Sequence, residues 1–512
     1  MFSQFLNRTF VALVPVALSL ALERNEAAAA TGRVEIVIRD ETAGRVVPGR
    51  VHLKNDAGKL VRVDNWPFFR DHFVCSGRAQ LELAAGDYVF EAERGPEYSM
   101  AKGAFTVAPD TNRTVIVKLD RIADLAAEGW WSGDLHVHRP LKDTELLMEA
   151  DDLHVAPVIT WWNNQNQWTN QSLPANVLVR FDKNRFYHSM AGEDEREGGA
   201  LLYFHLSEPL NVAGAGREYP SPMKFLLEAR QHAGVWVDIE KPFWWDAPVW
   251  LASGQCDSIG LANNHMCREQ MYEDEAWGKP RDAQHLPPPR GNGFWTQEIY
   301  YHLLNSGLRL APSAGSASGV LPNPVGYNRV YVYCGKRLAW KQWWEGLRAG
   351  RSFVSNGPLL RCTANGKLPG HIFTASKGKV VRLEIKTLLT SRDLISGLEI
   401  IQNGRVARTV RNDDWNGSLG GLTFAESGWF LVRAIAENPK TFRFASTAPY
   451  YVEIGDAQRR VSRASAQFFL DWVRERMRRV KLDDPIQREE VLRHHRQAEQ
   501  FWEERVAQAN AE

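Results

Sequence analysis

The sequence predicts a multidomain α/β plus β protein, with a central α/β unit flanked by two β-sandwich domains and followed by a helical tail. Three observations predict it. Short alternating strands with turn signals crowd the first and third parts of the chain. Strand-like apolar runs alternate with helical stretches in the middle. Helix-period apolar stripes close the chain. At 512 residues the chain exceeds one ordinary domain, and length alone predicts roughly three or four.

Residues 1–29 read as a signal peptide, with Arg8 as its positive start, an apolar run over 10–22, and small residues at 27–30. A retained N-terminal anchor is the competing reading. Export to the periplasm or beyond is therefore expected, with no membrane association in the mature form. Residues 31–122 read as a β-sandwich. Val34-Glu35-Ile36-Val37-Ile38, Val51-His52-Leu53 and Ala79-Gln80-Leu81-Glu82-Leu83 are strand-like, Gly86-Asp87 marks a turn, and Thr114-Val115-Ile116-Val117 closes the set.

Residues 129–360 alternate. Val155-Ala156-Pro157-Val158-Ile159-Thr160, Leu201-Leu202-Tyr203-Phe204 and Val235-Trp236-Val237-Asp238-Ile239 read as strands, and residues 223–232 and 296–305 as helices, the latter stopped near Gly307. This predicts an α/β barrel or open sheet. Residues 361–456 return to strands and predict a second sandwich. In the tail, 463–511, Phe469, Trp472, Val473, Met477 and Val480 share one helix face, Asp484-Pro485 forms an N-cap and first-turn pair, and Val491, His495, Ala498 and Trp502 share another face.

Hydrophobic content of 44% and charged content of 24% fit a soluble globular chain, and a net charge of +1 gives no reason to expect nucleic acid as a partner. Five cysteines, without a CxxC spacing, exclude a disulfide scaffold or a structural zinc module; a Cys256–Cys267 bridge stays open. The 19 tryptophans fit either a Trp-rich core or a groove for sugars.

The strongest chemical signal is Gly133-Asp134-Leu135-His136-Val137-His138-Arg139. Side chains along a strand alternate, so Asp134, His136 and His138 are expected on one face. Two imidazoles there can hold one metal ion, with Asp134 orienting a ligand ring from behind. A polar face with solvated histidines is the competing reading.

Gly129-Trp130-Trp131-Ser132-Gly133-Asp134-Leu135-His136-Val137-His138 resembles the opening of the PHP domain in the CehA/McbA family of metallohydrolases. The resemblance continues at Leu303-Leu304-Asn305-Ser306-Gly307-Leu308-Arg309 and at Gly350-Arg351-Ser352-Phe353-Val354-Ser355-Asn356-Gly357-Pro358. It implies a PHP-like distorted α/β barrel, preceded by a β domain resembling a carboxypeptidase regulatory-like module. It also implies divalent-metal-dependent hydrolysis of amide, ester, carbamate or phosphoester bonds. Three family motifs are altered. Thr160-Trp161-Trp162-Asn163 stands for Thr-Asp-His-Asn, Glu240-Lys241-Pro242 for a His-Pro, and Gly315-Ser316-Ala317-Ser318-Gly319 for Gly-Ser-Asp-x-His. A reduced site is the consequence.

Replacement ligands are expected among Glu193 (or Glu195), His205 and Glu240, completing His136 and His138. Asp238 alternates with Glu240 on its strand and is a candidate outer partner; Lys241 can neutralise Glu240 instead. His265 or Glu240 would shuttle a proton, and Arg139 or Lys241 would stabilise developing negative charge. Zinc, manganese or iron is the expected cofactor, number open, and a small molecule the expected substrate. The rival expectation is a non-catalytic exported binding protein of the same fold, with Trp161, Trp162, Trp244 and Trp245 lining a groove that takes carbohydrate.

Overall fold

The computed structural model describes residues 30–411, 415–456 and 459–512. The signal-peptide reading, on residues 1–29, lies outside the described residues. The chain is rich in strands, and they form several sheets.

The N-terminal part is two facing sheets. In one, Thr31–Asp40 pairs antiparallel with Arg78–Ala84 and parallel with Asn112–Leu119. The other runs Phe68–Phe69, His72–Cys75, Gly49–Asn55, Gly86–Glu93, Ala101–Val107. Arg78–Ala84 alternates exposed and buried residue by residue, as a strand with one wet face must. Val34, Ile36, Leu81 and Val117 from one sheet meet Val51, Leu53, Phe73 and Phe105 from the other in one core.

The central part is built on seven strands. Trp130–Gly133 pairs parallel with Val155–Trp162, which pairs parallel with Arg185–Arg196. Gly199–Phe204 returns by a hairpin and lies antiparallel to both of its neighbours, Arg185–Arg196 and Trp236–Ile239. Ser258–Ala262 and Ala311–Ala314 follow in parallel. The circuit then meets its start: the Leu135 N–H donates to the Ala314 carbonyl at 3.0 Å, and the His138 N–H to the Ser318 carbonyl at 2.7 Å. Val137 bridges Val158 on one side and Ser318 on the other. The histidine segment is thus an irregular extended stretch wedged between two strand ends, not a regular strand. The helix expected over 223–232 forms as Pro222–Ala229, started by Ser221, whose hydroxyl accepts from the Met223 N–H; the helix expected over 296–305 begins earlier, as Gly291–Asn305.

The ladder does not stop where the sequence places a boundary, at 360. Arg329–Tyr333 pairs with Trp130–Gly133 and with Ser352–Ser355, which pairs with Phe444–Thr447. The last sandwich faces a three-stranded sheet (Leu359–Ala364, Val381–Thr390, Gly417–Phe424) with this continuous one over a core that includes Leu360, Ile385, Leu398, Phe430 and Val432.

The tail is two antiparallel helices, Arg463–Arg479 and Pro485–Ala507, capped by Ser462 and Asp484. The Trp502 indole is fully buried and donates to the Pro248 carbonyl at 3.0 Å. Arg476 and His495 both reach Asp246, at 2.7 and 3.2 Å. Among the described residues no helix is long and apolar enough to cross a membrane. All five cysteines are free, so no Cys256–Cys267 bridge forms. Trp161, Trp236, Trp244, Trp250, Trp343, Trp429, Trp472 and Trp502 are almost wholly buried, and with Trp130, Trp131, Trp245, Trp295 and Trp344, also buried, they make most of the 19 tryptophans core.

Candidate metal centre

His136 and His138 leave the first central strand and point their rings at one spot. Their Nε2 atoms stand 2.9 Å apart. The pairing of Trp162 with Glu193 across parallel strands carries the Glu193 carboxylate to the same spot. Its Oε2 lies 3.4 Å from His136 Nε2 and 3.2 Å from His138 Nε2. A tetrahedral cation with bonds of about 2.0–2.2 Å needs donors about 3.3 Å apart, so the triangle is of the right size. The donor set, two imidazoles and one carboxylate, suits zinc, manganese or iron.

The electrostatics of the pocket favour a positive charge. Burial opposes protonation of His136, yet Glu193 and Glu240 hold its pKa up at about 10. Burial and the neighbouring His136 push His138 down. Glu193 stays well below the usual carboxylate range: burial works against ionisation, and the two imidazoles outweigh it. Two carboxylates thus draw one proton to where a cation would sit.

Glu240 takes a different position from the one expected of a ligand. Its Oε1 lies 3.4 Å from His136 Nδ1, on the far side of the ring from the donor triangle. A carboxylate behind a ligand imidazole fixes its tautomer and raises its basicity. Glu240 itself accepts from Lys241 Nζ and Asn264 Nδ2, each at 2.6 Å, and from Trp244 Nε1 at 2.9 Å. Burial raises its pKa, but Lys241 and His136 bring it down to about 2, too low for a general base. Lys241 is spent on this ion pair and on the Trp244 face, 4.5 Å away, so it is not free to meet substrate charge.

Asp134 does not touch an imidazole. Its oxygens accept from the backbone N–H groups of His136 (3.1 Å), Ser316 (3.0 Å) and Gly326 (2.7 Å), so it pins the histidine segment to the 315–326 loop. Asp238 is buried against the hydroxyls of Ser258 and Ser313 rather than against a ligand, and burial lifts it to about 7. His205 sits at the opposite rim, because its strand runs antiparallel to the others; its Nδ1 lies 2.9 Å from the Gly234 carbonyl and its ring 4.5 Å from Trp344. Arg139 lies one residue beyond His138 and so projects to the other side, stacked 4.6 Å from Phe69 of the N-terminal sandwich. His265 is lodged between Phe243 and Tyr272 with Nδ1 3.2 Å from the Asp274 carbonyl; burial and Lys241 lower it to about 3, so it is neutral and does not reach Glu240 by a hydrogen bond.

The Thr160-Trp161-Trp162-Asn163 run brings indoles rather than a cation donor to this rim. Trp161 is buried over Gly192, where an added Cβ would come within 1.8 Å of the indole. Trp162 stands 5.1 Å from His138. Both line a cavity of about 220 Å³ that also touches His138, Gln165, Gln167 and Val320. Trp244 and Trp245 are buried elsewhere, so the four indoles do not form one groove. Gly315 must be glycine: a Cβ there would lie 2.4 Å from the His136 Cβ. Glu195 is the carboxylate next along the strand face. Its side chain has no hydrogen-bond partner among the described residues, and burial together with Glu193 lifts it to about 7. Asn264, absent from the sequence-based ligand set, stands just past the end of Ser258–Ala262, on the same rim as Glu240, and that place is its sequence signal.

No protein-family profile matches the chain, and no curated protein matches it. Among solved structures, the minor pilin GBS52 of Streptococcus agalactiae is 22% identical over 19% of this chain and 47% of its own, with a TM-score of 0.17. The Bacillus anthracis TIE protein is 20% identical over 22% of this chain and 20% of its own, with a TM-score of 0.15. The chain thus spans less than half of either, and likeness at this level carries no argument about its function.

Proposed function

We propose that the chain is an exported metal-dependent hydrolase of PHP type, related to the CehA/McbA family, with its central strands forming a distorted barrel around a reduced, single-cation centre. The observation that carries this reading is the convergence of His136, His138 and Glu193 beside a small cavity. A divalent cation on these three donors would supply Lewis acidity and activated water for cleaving an amide, ester, carbamate or phosphoester bond. The chain's own residues do the rest. Glu240, held by Lys241, Trp244 and Asn264, keeps a proton on His136 Nδ1 and its Nε2 lone pair forward. Glu195, two residues beyond Glu193 on the same strand, would be the carboxyl to accept a proton from water and pass it to the leaving group. About 220 Å³ admits the scissile group and its near substituents, so a small molecule is the substrate class this cavity supports.

The test is elemental analysis of the full chain with a panel of ester, amide, carbamate and phosphoester substrates. Wild type should carry zinc, manganese or iron and turn over at least one class. The His136→Ala/His138→Ala variant should lose one metal equivalent and all turnover. Unchanged metal content in that variant removes the reading. One observation favours a second reading, a non-catalytic binding protein of the same fold: Glu240 is fully engaged by Lys241, Trp244 and Asn264. Metal at His136 and His138 without turnover of any substrate class, or a carbohydrate that quenches the Trp162 fluorescence, would favour it.

A further inference from the structure

A second cluster of cation donors lies in the N-terminal sandwich, away from the first centre. The pairing of Val51 with Phe73 puts His52 and His72 side by side on neighbouring antiparallel strands, with ring centroids 5.2 Å apart. Asp71, at the turn before His72, lies between them: Oδ2 is 3.1 Å from His52 Nδ1, and Oδ1 is 2.8 Å from His72 Nδ1. One donor atom from each residue falls within 4.8 Å of the other two. Both imidazoles are nearly buried, whereas the Asp71 carboxylate is 37% exposed, so the cluster opens to solvent on the carboxylate side. His52 and Asp71 line a cleft of about 890 Å³ between this sandwich and Arg268 of the central unit.

Two further facts separate this cluster from an ordinary polar network. Asp71 bonds to no lysine or arginine among the described residues; the nearby Arg50 and Arg268 are matched by Asp151, Glu91 and Glu93. And His52 Nε2 is buried without a partner, although the Glu91 and Glu93 carboxylates stand within 4.8 Å of a nitrogen of this ring. In the metal-free tautomer Nδ1 carries the proton for Asp71, and Nε2 is left as a buried lone pair. A cation on Nδ1 moves the proton to Nε2 and removes that buried lone pair.

We infer that His52 Nδ1, His72 Nδ1 and the Asp71 carboxylate bind one divalent transition-metal ion of the zinc type, with solvent from the cleft completing the coordination. Two imidazole donors select such ions over calcium or magnesium. The site is independent of the centre at His136.

Zinc titration of the full chain, with bound metal counted after gel filtration, tests it. Wild type should bind one equivalent more than Asp71→Asn, and one more than His52→Gln. His136→Ala/His138→Ala should retain the equivalent that Asp71→Asn loses, so failure of one site is read separately from failure of the other. Near-UV circular dichroism confirms folding. Asp71 is partly exposed, and Asp71→Asn decides the matter even where His52→Gln does not fold. A folded Asp71→Asn chain with the wild-type zinc count overturns the site. So does calcium or magnesium binding there as tightly as zinc.

Discussion

Lys241→Met probes the electrostatic support of the first centre. Lys241 Nζ donates to both oxygens of Glu240, and the two side chains are only 4% and 2% exposed. Without the ammonium group, Glu240 keeps two neutral donors, Asn264 and Trp244, and the His136 ring. Lys241 is the first of the influences that bring Glu240 down to about 2, against a burial that opposes its ionisation. Breaking one partner of a buried pair costs about 3–5 kcal/mol by the same reasoning from desolvation. The expected loss in urea unfolding at pH 7, followed by Trp fluorescence, is therefore about 3 kcal/mol. The sign with pH follows from the depressed carboxyl. In wild type the contribution is complete above about pH 4.5 and is lost as pH falls towards about 2. In the variant Glu240 loses the first of the influences that hold its pKa down, so it protonates at higher pH than in wild type and the gap between the two proteins narrows on acidification. The double variant Glu240→Gln/Lys241→Met should recover part of the loss, because no unpaired charge remains. A loss below about 1 kcal/mol at pH 7, or a gap that widens towards pH 5, would refute this account of the ion pair.

Two other substitutions have defined outcomes. Gly192→Ala puts a Cβ 1.8 Å from Cε2 of the buried Trp161 ring; it should destabilise the chain by about 3 kcal/mol in urea unfolding and weaken metal binding by displacing Glu193 next to it. Trp502→Ala removes a fully buried indole from the tail's docking face; it should cost about 3–5 kcal/mol and expose residues 463–512 to limited proteolysis ahead of the rest.

The parts of the site that were legible in the sequence are those that local spacing controls. His136 and His138 are two residues apart in an extended segment, and such spacing alone brings two rings to one side. The tail was legible for the same reason: Asp484-Pro485 is a cap, and Val491, His495, Ala498 and Trp502 recur at helical spacing and are buried together. The misplacements have separate causes. His205 ends an apolar run as a ligand would, but its strand runs against its neighbours and delivers it to the wrong rim. Arg139 is one residue out of phase with His138. Asp134 shares the expected parity, yet the segment is irregular and its carboxylate turns onto three backbone N–H groups. The choice between Glu193 and Glu195 needed the register of Val155–Trp162 against Arg185–Arg196, which no local pattern contains.

From its amino-acid order alone this chain determines strand-rich flanks, a mixed middle, a capped helical tail and a paired imidazole motif, because alternation, helical period and caps act over a few residues. Tertiary structure decided which carboxylate meets those imidazoles, that Glu240 stands behind His136 rather than in front of it, and that the central and last sheets share one ladder. It also decided that the tail grips Asp246. Those outcomes depend on which distant apolar faces bury one another, and the direction and register of each strand follow from that burial.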